Sequence, residues 1–245
     1  MSTNTLMLVR THPQDPARDD EFNEWYNGNH IPDVLNAPNF TAALRYKNAA
    51  THIGQAPPYL ALYYVTEDDA QVANNELLAY LGAPEPRRME MPPATGDAEG
   101  GLVVVENWAF YNKKREVGHN DVSPEGAAKA LLVVYAGPAE GADAEELDRW
   151  YDWHVDDILT APGFRGATRY ELAAANVGEL PQWCAIYELE SDDVDTIQEG
   201  LGKVLATAPS GGIPTTADGS PALAVDGYVY YTFLAAPTKV HTLLP

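Results

Sequence analysis

The sequence contains little that would serve disulfide formation, membrane insertion or secretion. Cys184 is the single cysteine among 245 residues, so no internal disulfide is available. No apolar run approaches the ~18 residues that a membrane-spanning helix needs. The N-terminus lacks the basic segment and long apolar stretch of a secretory signal. These absences predict a cytoplasmic protein that does not associate with membranes.

Positive charge is also scarce. Fifteen Lys and Arg residues against 36 Asp and Glu residues give a net charge of −21, and the basic residues form no cluster. Phosphate backbones and anionic membrane surfaces would repel such a surface. The charge therefore argues against nucleic acid or a membrane as the partner.

Motifs for common cofactors and nucleophiles are missing. The sequence has no GxGxxG, GxxxxGK[ST], HExxH or GxSxG, so nucleotide-binding, zinc-protease and hydrolase functions have no support. We therefore predict an activity that uses no metal ion and no organic cofactor.

One stretch, by contrast, occurs twice. Residues 25–46 read WYNGNHIPDVLNAPNFTAALRY and residues 150–170 read WYDWHVDDILTAPGFRGATRY. From the histidine onward the copies align without a gap, whereas one residue between Tyr26 and His30 has no counterpart. Self-similarity at this spacing indicates an internal duplication.

The apolar pattern predicts a β-α-β-β-α-β order in each half. Strands are expected over 5–11, 40–48, 59–65 and 102–111, with helices over 19–36 and 67–81. The second half repeats this with strands over 130–136, 164–173, 182–190 and 225–234 and helices over 144–160 and 194–207. Asn27-Gly28 and Pro32 predict a kink or split in the first helix. The order is that of a ferredoxin-like repeat, so we predict one repeat over 1–115, a linker over 116–128 and a second repeat over 129–245.

Each predicted sheet has one face without helices to cover it. Both faces of the strands are largely apolar, and soluble proteins rarely expose such a patch. The simplest α+β arrangement lets the two antiparallel sheets face each other and form a barrel with helices outside. A homo-oligomer is compatible with any sheet edge left open. The long segments 82–101 and 208–222 occupy equivalent places and are either lids or plain surface loops.

A histidine near the end of each first helix is followed three residues later by an aspartate. His30 with Asp33, and His154 with Asp157, would share a helix face, so the carboxylate could orient the imidazole. We interpret these four as candidate catalytic residues, with histidine as the general acid/base. A purely structural histidine is the alternative. Metal binding is not predicted, because each pair offers two ligands where three or four are usual.

The dipeptides Arg45-Tyr46 and Arg169-Tyr170 lie on the strands that follow. Adjacent strand residues point to opposite faces, so one of each pair should enter the barrel and the other should meet the helices. An arginine buried there would need a partner such as Asp33 or Asp157, and a structural ion pair and a substrate-anion role are both compatible. Tyrosines that alternate on strands suit either core packing or an aromatic ligand cavity. The predicted substrate-binding residues are Trp25, Tyr26, Arg45, Tyr46, Trp150, Tyr151, Arg169 and Tyr170.

The doubled pattern W-Y-x(2–3)-H-[IV]-x-D-[VI]-L-x-A-P-x-F-x(4)-R-Y resembles the EthD-like branch of the dimeric α+β barrel superfamily. Members usually pair two ferredoxin-like subunits, and here the two look fused. The superfamily includes cofactor-free monooxygenases, polyketide cyclases, muconolactone-type isomerases, decarboxylases and some haem enzymes. The resemblance implies a helix histidine at His30 and at His154. Asp156 stands where the first copy has Pro32, which sets the two copies apart.

The expected function is that of a cofactor-independent enzyme. It would use a helix histidine on a small aromatic or polyketide-like substrate in the barrel cavity, as a lyase or decarboxylase, an isomerase or a cyclase. One alternative is a cofactor-free or haem-dependent monooxygenase. The other is a barrel that binds a small molecule without catalysis.

Overall fold

The computed structural model describes residues 4–82, 101–118, 121–123 and 125–238. Eight strands run through this part of the chain: β1 Thr5–Pro13, β2 Phe40–Ile53, β3 Tyr59–Val65, β4 Val103–Gly118, β5 Ala130–Pro138, β6 Phe164–Val177, β7 Trp183–Leu189 and β8 Leu223–Ala235. The α-helices are α1 Asp19–Trp25, α2 Ile31–Val34, α3 Ala70–Gly82, α4 Ala144–Ile158 and α5 Val194–Leu205. A 3-10 turn, Pro16–Arg18, precedes α1, and a π-helical turn, Tyr26–His30, joins α1 to α2. The predicted order of strands and helices is confirmed in both halves.

The strands pair antiparallel and close into a barrel in the order β1-β3-β2-β8-β5-β7-β6-β4. Each half contributes a four-stranded sheet, β4-β1-β3-β2 or β8-β5-β7-β6. The halves meet along two seams, where β2 pairs with β8 and β4 pairs with β6. The predicted α+β barrel is confirmed, and the eight described strands leave no sheet edge open.

All four seam strands are longer than the sequence pattern predicts, three of them by four residues or more at the C-terminal end. Strands β2, β4 and β6 extend to Ile53, Gly118 and Val177. Half of their added C-terminal residues are polar and none is buried, so local periodicity does not mark them; they pair across a seam instead, as Gly118 does with Gly166. Strand β4 thus continues into the segment expected to be a linker, in which residues 119, 120 and 124 lie outside the described part. The division into two repeats at these residues stays a prediction.

Buried side chains form three layers. One fills the barrel interior and draws on all eight strands but on no helix; Leu8, Leu44, Tyr111, Val133 and Tyr231 are examples. The other two lie between the outer face of each half and its helices. Cys184 belongs to the barrel interior, where burial raises the pKa of its thiol and keeps it protonated. No helix in the described part of the chain is long and apolar enough to cross a membrane.

Helix α4 shows how the sequence places a candidate site on the outer face. Asp143 caps the helix by accepting the backbone N–H groups of Glu145 and Glu146, each at 3.0 Å. Its apolar residues then recur at three- and four-residue spacing and face the sheet: Leu147, Trp150, Tyr151, Val155 and Ile158. His154 lies beside this stripe.

Candidate functional site

The extra residue of the first copy forms a π-helical turn. Tyr26–His30 is π-helical, whereas α4 runs without interruption through the corresponding part of the second half. A π turn accommodates one residue more than an α turn and is frequent at functional sites. The residues before and after it therefore keep the faces they have in α4. The predicted interruption of the first helix is confirmed, and Pro32 lies just after it, in the first turn of α2.

His30 is the last residue of this π turn. Its ring stacks on the Trp25 indole, with 5.0 Å between centroids, and meets the edge of Tyr26 at 4.8 Å. Burial, together with the charge of Arg45, lowers the pKa of His30 to about 4. The imidazole is therefore neutral at pH 7 and able to accept a proton.

His154 has a similar ring contact and different polar surroundings. Its ring stacks on Trp150 at 4.7 Å, and its Nδ1 is buried without a hydrogen-bond partner among the described residues. Burial lowers the pKa of His154, and Asp157 partly opposes that shift. Asp157 itself accepts the backbone N–H of Ser210 at 2.7 Å, while Trp150 Nε1 donates to the Ser210 carbonyl oxygen at 3.1 Å. Hydrogen bonds of the Ser210 backbone thus hold segment 208–222 against α4 beside His154. Of the matching segment 82–101, residues 83–100 lie outside the described residues.

The two aspartates form hydrogen bonds with groups other than the imidazoles. Asp33 accepts the hydroxyl of Tyr80 at 2.9 Å, and Asp157 binds the loop as described above. A catalytic role for Asp33 and Asp157 stays a prediction.

The predicted opposite orientation of the Arg-Tyr pairs is confirmed. Tyr46 and Tyr170 belong to the layer inside the barrel. Arg45 and Arg169 point outward, under the helices, and are 0% and 2% exposed. Only the arginine of each pair therefore lies on the same side of the sheet as the helix histidines.

The predicted partners of the arginines are wrong. Arg45 Nη1 donates to the side-chain oxygens of Asn23 at 2.9 Å and Asn27 at 2.8 Å. Arg169 donates instead to Asp148 and Asp152, each at 2.5 Å. Each strand passes beneath the middle of its helix, so Asp33 and Asp157, near the C-terminal end, are not the residues that meet the guanidinium.

These four helix residues were not among the predicted site residues, although the sequence carries a signal for them. Aligning the copies on Trp25 and Trp150, before the inserted residue, places Asn23 opposite Asp148 and Asn27 opposite Asp152. Alignment on the histidines shifts the earlier residues by one position and hides the correspondence.

The predicted location inside the barrel is wrong for both histidines. Trp25 and Trp150, on which the rings stack, belong to the layers between helices and sheet, whereas strand side chains such as Tyr46 and Tyr170 fill the interior. A helix that covers the outside of a closed sheet cannot send a side chain through it. The candidate site therefore lies between helix and sheet.

Three surface cavities in the described part of the chain lie away from the histidines. Surface cavities of about 390, 180 and 470 Å³ are lined by neither histidine and neither buried arginine. Within the described ranges no group of three or more His, Cys, Asp or Glu side chains could hold a metal ion.

The lowered pKa of His30 predicts a pH-dependent stability. In the unfolded chain the imidazole takes up a proton below pH 6.5, whereas in the folded chain it does so near pH 4. The folded state should therefore lose roughly 1–3 kcal/mol between pH 6.5 and pH 4 through this residue. Denaturant unfolding at pH 7 and pH 4.5 should show a larger loss for the natural chain than for His30→Gln. A pH-independent difference between the two proteins would contradict the prediction.

Comparison with known proteins gives one relative and a fold. The core atranone cluster (CAC) protein 1 of Stachybotrys chlorohalonatus (strain IBT 40285) is 32% identical over 228 residues, which cover 84% of this chain and 92% of that protein. No protein-family model matches the chain.

Solved structures share the architecture at low identity. An anthrone oxidase-like protein matches with a TM-score of 0.56 and 12% identity, covering 99% of this chain and 98% of that one. A mutant chlorite dismutase from Candidatus Nitrospira defluvii matches with a TM-score of 0.50 and 8% identity over 96% of this chain and 93% of that one. At these identities the likeness shows the fold alone, which is that of the dimeric α+β barrel superfamily.

Proposed function

The chain belongs to the family of the core atranone cluster (CAC) protein 1, and on that premise we propose that it is an enzyme in which His30 removes a proton from a small aromatic or polyketide-like molecule. We also assign it to the EthD-like branch of the superfamily, because the doubled motif around His30 and His154 resembles the pattern of that branch. The site is the space between the first helix and its sheet.

One observation carries the proposal: the His30 imidazole stacks on the Trp25 indole, and the positive charge of the buried Arg45 guanidinium acts on it. At pH 7 the unprotonated imidazole has a nitrogen lone pair available to a C–H proton during the reaction, and the adjacent cation favours the anion that proton removal leaves behind. The rings of Trp25 and Tyr26 give this place an aromatic wall that suits a flat apolar ligand.

The chemistry follows from that pairing. His30 takes a proton from a C–H next to a carbonyl group, the C–H electron pair moves into the carbonyl, and an enolate forms. Return of the proton at another carbon completes an isomerisation. Attack of the enolate on a second carbonyl forms a C–C bond and an alkoxide, and the alkoxide takes the proton back from His30 to complete a cyclisation. Both outcomes balance without an added oxidant.

Deuterium exchange at acidic C–H positions tests this step without knowledge of the natural product. Anthrone and 1-hydroxy-2-acetonaphthone, incubated with the protein in D₂O, should gain deuterium faster than in buffer, as measured by mass spectrometry. His30→Gln should slow the exchange about 10²- to 10⁴-fold. The matched variant His154→Gln should stay within about threefold of the natural chain, because we assign the chemistry to the first repeat. Equal exchange by the natural chain and His30→Gln would disprove the role of His30.

The same incubation separates the alternatives. A cofactor-free monooxygenase would consume one O₂ per molecule of anthrone and convert its CH₂ group to a carbonyl with release of water, a net gain of about 14 Da; a binding barrel would retain the compound without exchange. A haem enzyme would show a Soret band.

A further inference from the structure

The two buried arginines occupy equivalent places and have different charge environments. Arg169 is held by the carboxylates of Asp148 and Asp152, each at 2.5 Å. Arg45 meets the amide oxygens of Asn23 and Asn27 at the same helix positions. The second repeat therefore neutralises its buried guanidinium, and the first repeat does not.

Aromatic rings replace part of the carboxylate stabilisation that Arg45 lacks. The guanidinium carbon lies 4.3 Å from the centroid of Tyr26, 5.0 Å from that of Tyr59 and 5.4 Å from that of Phe22. Such contacts favour a cation but accept no hydrogen bond at its edge. Asp19, the carboxylate whose charge acts on Arg45, accepts the hydroxyl of Tyr59 at 2.7 Å and makes no ion pair with the arginine.

The unused donors of Arg45 are a matched pair. Nη1 makes both amide contacts, while Nε and Nη2 are buried without a hydrogen-bond partner in the described structure. Nε and Nη2 form one edge of the guanidinium and present two parallel N–H bonds, the fork that binds carboxylates and similar oxyanions in bidentate fashion. Buried donors of this kind are rarely left without a partner.

We propose that Arg45 binds the oxyanion of an aromatic ligand, a carboxylate or an ionised phenol or enol, and that the second repeat is a self-neutralised copy that binds none. The placement of this anion beside His30 rests on the proposed function. In the second repeat Asp148 and Asp152 provide the negative charge that the ligand provides in the first. A ligand would approach from the π turn, where Asn27 and His30 are partly exposed and a side chain added at Gly28 would meet nothing within 4 Å.

Three probes of related shape test the inference by isothermal titration: 2-naphthoate, its neutral analogue 2-naphthamide, and 4-nitrophenol, whose ionised form absorbs near 400 nm. We expect naphthoate to bind the natural chain at least about tenfold more tightly than naphthamide. Asn23→Asp/Asn27→Asp, which copies the second repeat, should weaken naphthoate about tenfold or more and leave naphthamide within about twofold. A fall in the apparent pKa of bound 4-nitrophenol identifies the phenol or enol class, and naphthoate binding without that fall identifies a carboxylate.

The reverse pair of substitutions, in the second repeat, is the matched variant. Asp148→Asn/Asp152→Asn frees Arg169 of its carboxylates, so the number of naphthoate sites should rise from one towards two. Equal affinity for naphthoate and naphthamide would overturn the inference, as would naphthoate binding that survives Asn23→Asp/Asn27→Asp in a protein that folds as the natural chain does.

The outcome is separable from that of the proposed function. His30→Gln should keep its preference for naphthoate over naphthamide even where deuterium exchange is lost. If deuterium exchange needs His30 but the natural chain binds naphthoate no more tightly than naphthamide, the proposed function stands and the anion site at Arg45 is disproved. If naphthoate binds more tightly than naphthamide but no deuterium exchange occurs, the anion site stands and the proposed function is disproved.

Discussion

Replacing Asp148 and Asp152 together by alanine is expected to lower the free energy of unfolding by about 2–4 kcal/mol, because a buried guanidinium then loses both of its counter-charges. The Arg169 side chain is 3% exposed, so water cannot replace them. The two carboxylates are 33% and 41% exposed, which keeps the loss below that of a fully buried pair. Urea unfolding followed by tryptophan fluorescence measures the change.

The first repeat provides the matched comparison. Asn23→Ala/Asn27→Ala removes two neutral hydrogen-bond acceptors from Arg45 and should cost about 1–2 kcal/mol. Adding Arg169→Met to the double alanine variant of the second repeat should recover most of the loss, since it removes the uncompensated charge. Equal small losses in the two repeats, or no recovery with Arg169→Met, would show that the charge difference between the repeats has little energetic weight.

The second large effect concerns the seams of the barrel. Gly54→Ala and Gly178→Ala are each expected to lower the free energy of unfolding by about 3 kcal/mol, combining the left-handed backbone cost with overpacking. Both glycines have positive φ, +76° and +70°, and follow the ends of β2 and β6. A Cβ at Gly54 would come within 3.0 Å of the Asp226 carbonyl oxygen on β8, and one at Gly178 equally close to Glu106 on β4.

A third glycine separates the two contributions. Gly141 has φ +79°, but a Cβ there would meet nothing within 4 Å. Gly141→Ala should therefore show the backbone cost alone, about 1–2 kcal/mol. Thermal unfolding of the three variants measures the difference. If Gly54→Ala and Gly178→Ala lose no more stability than Gly141→Ala, close strand contact at the seams does not limit the closure of the barrel.

The two glycines also show how duplication operates in this fold. They are 124 residues apart, as His30 and His154 are, so both seams inherit one tight crossing from the repeated unit. The site residues differ instead: the first copy has one more residue and a π turn, and the second has aspartates where the first has asparagines. The barrel needs both halves to stay alike at the seams, whereas the outer faces can change independently.

Local pattern was sufficient for much of the prediction. The continuous apolar run Tyr59–Val65 predicted β3 with its observed bounds, and the spacing of apolar residues predicted α4 to within two residues. The repeated motif predicted two equivalent halves, and strand geometry placed Arg45 and Tyr46 on opposite faces. Each of these properties depends on residues close together in the chain, where the periods of strand and helix apply directly.

The amino-acid sequence alone therefore determined the doubled unit, its strands and helices, and that the two side chains of each Arg-Tyr pair would lie on opposite faces of the sheet. Only the tertiary structure decided that the histidines lie outside the barrel, that the seam strands extend to pair across the halves, and that Asn23 and Asp148, rather than Asp33 and Asp157, meet the arginines. The physical reason is that these contacts depend on where a helix crosses a strand and where one sheet meets another, and such crossings join residues that are distant in the chain and have no periodic signature.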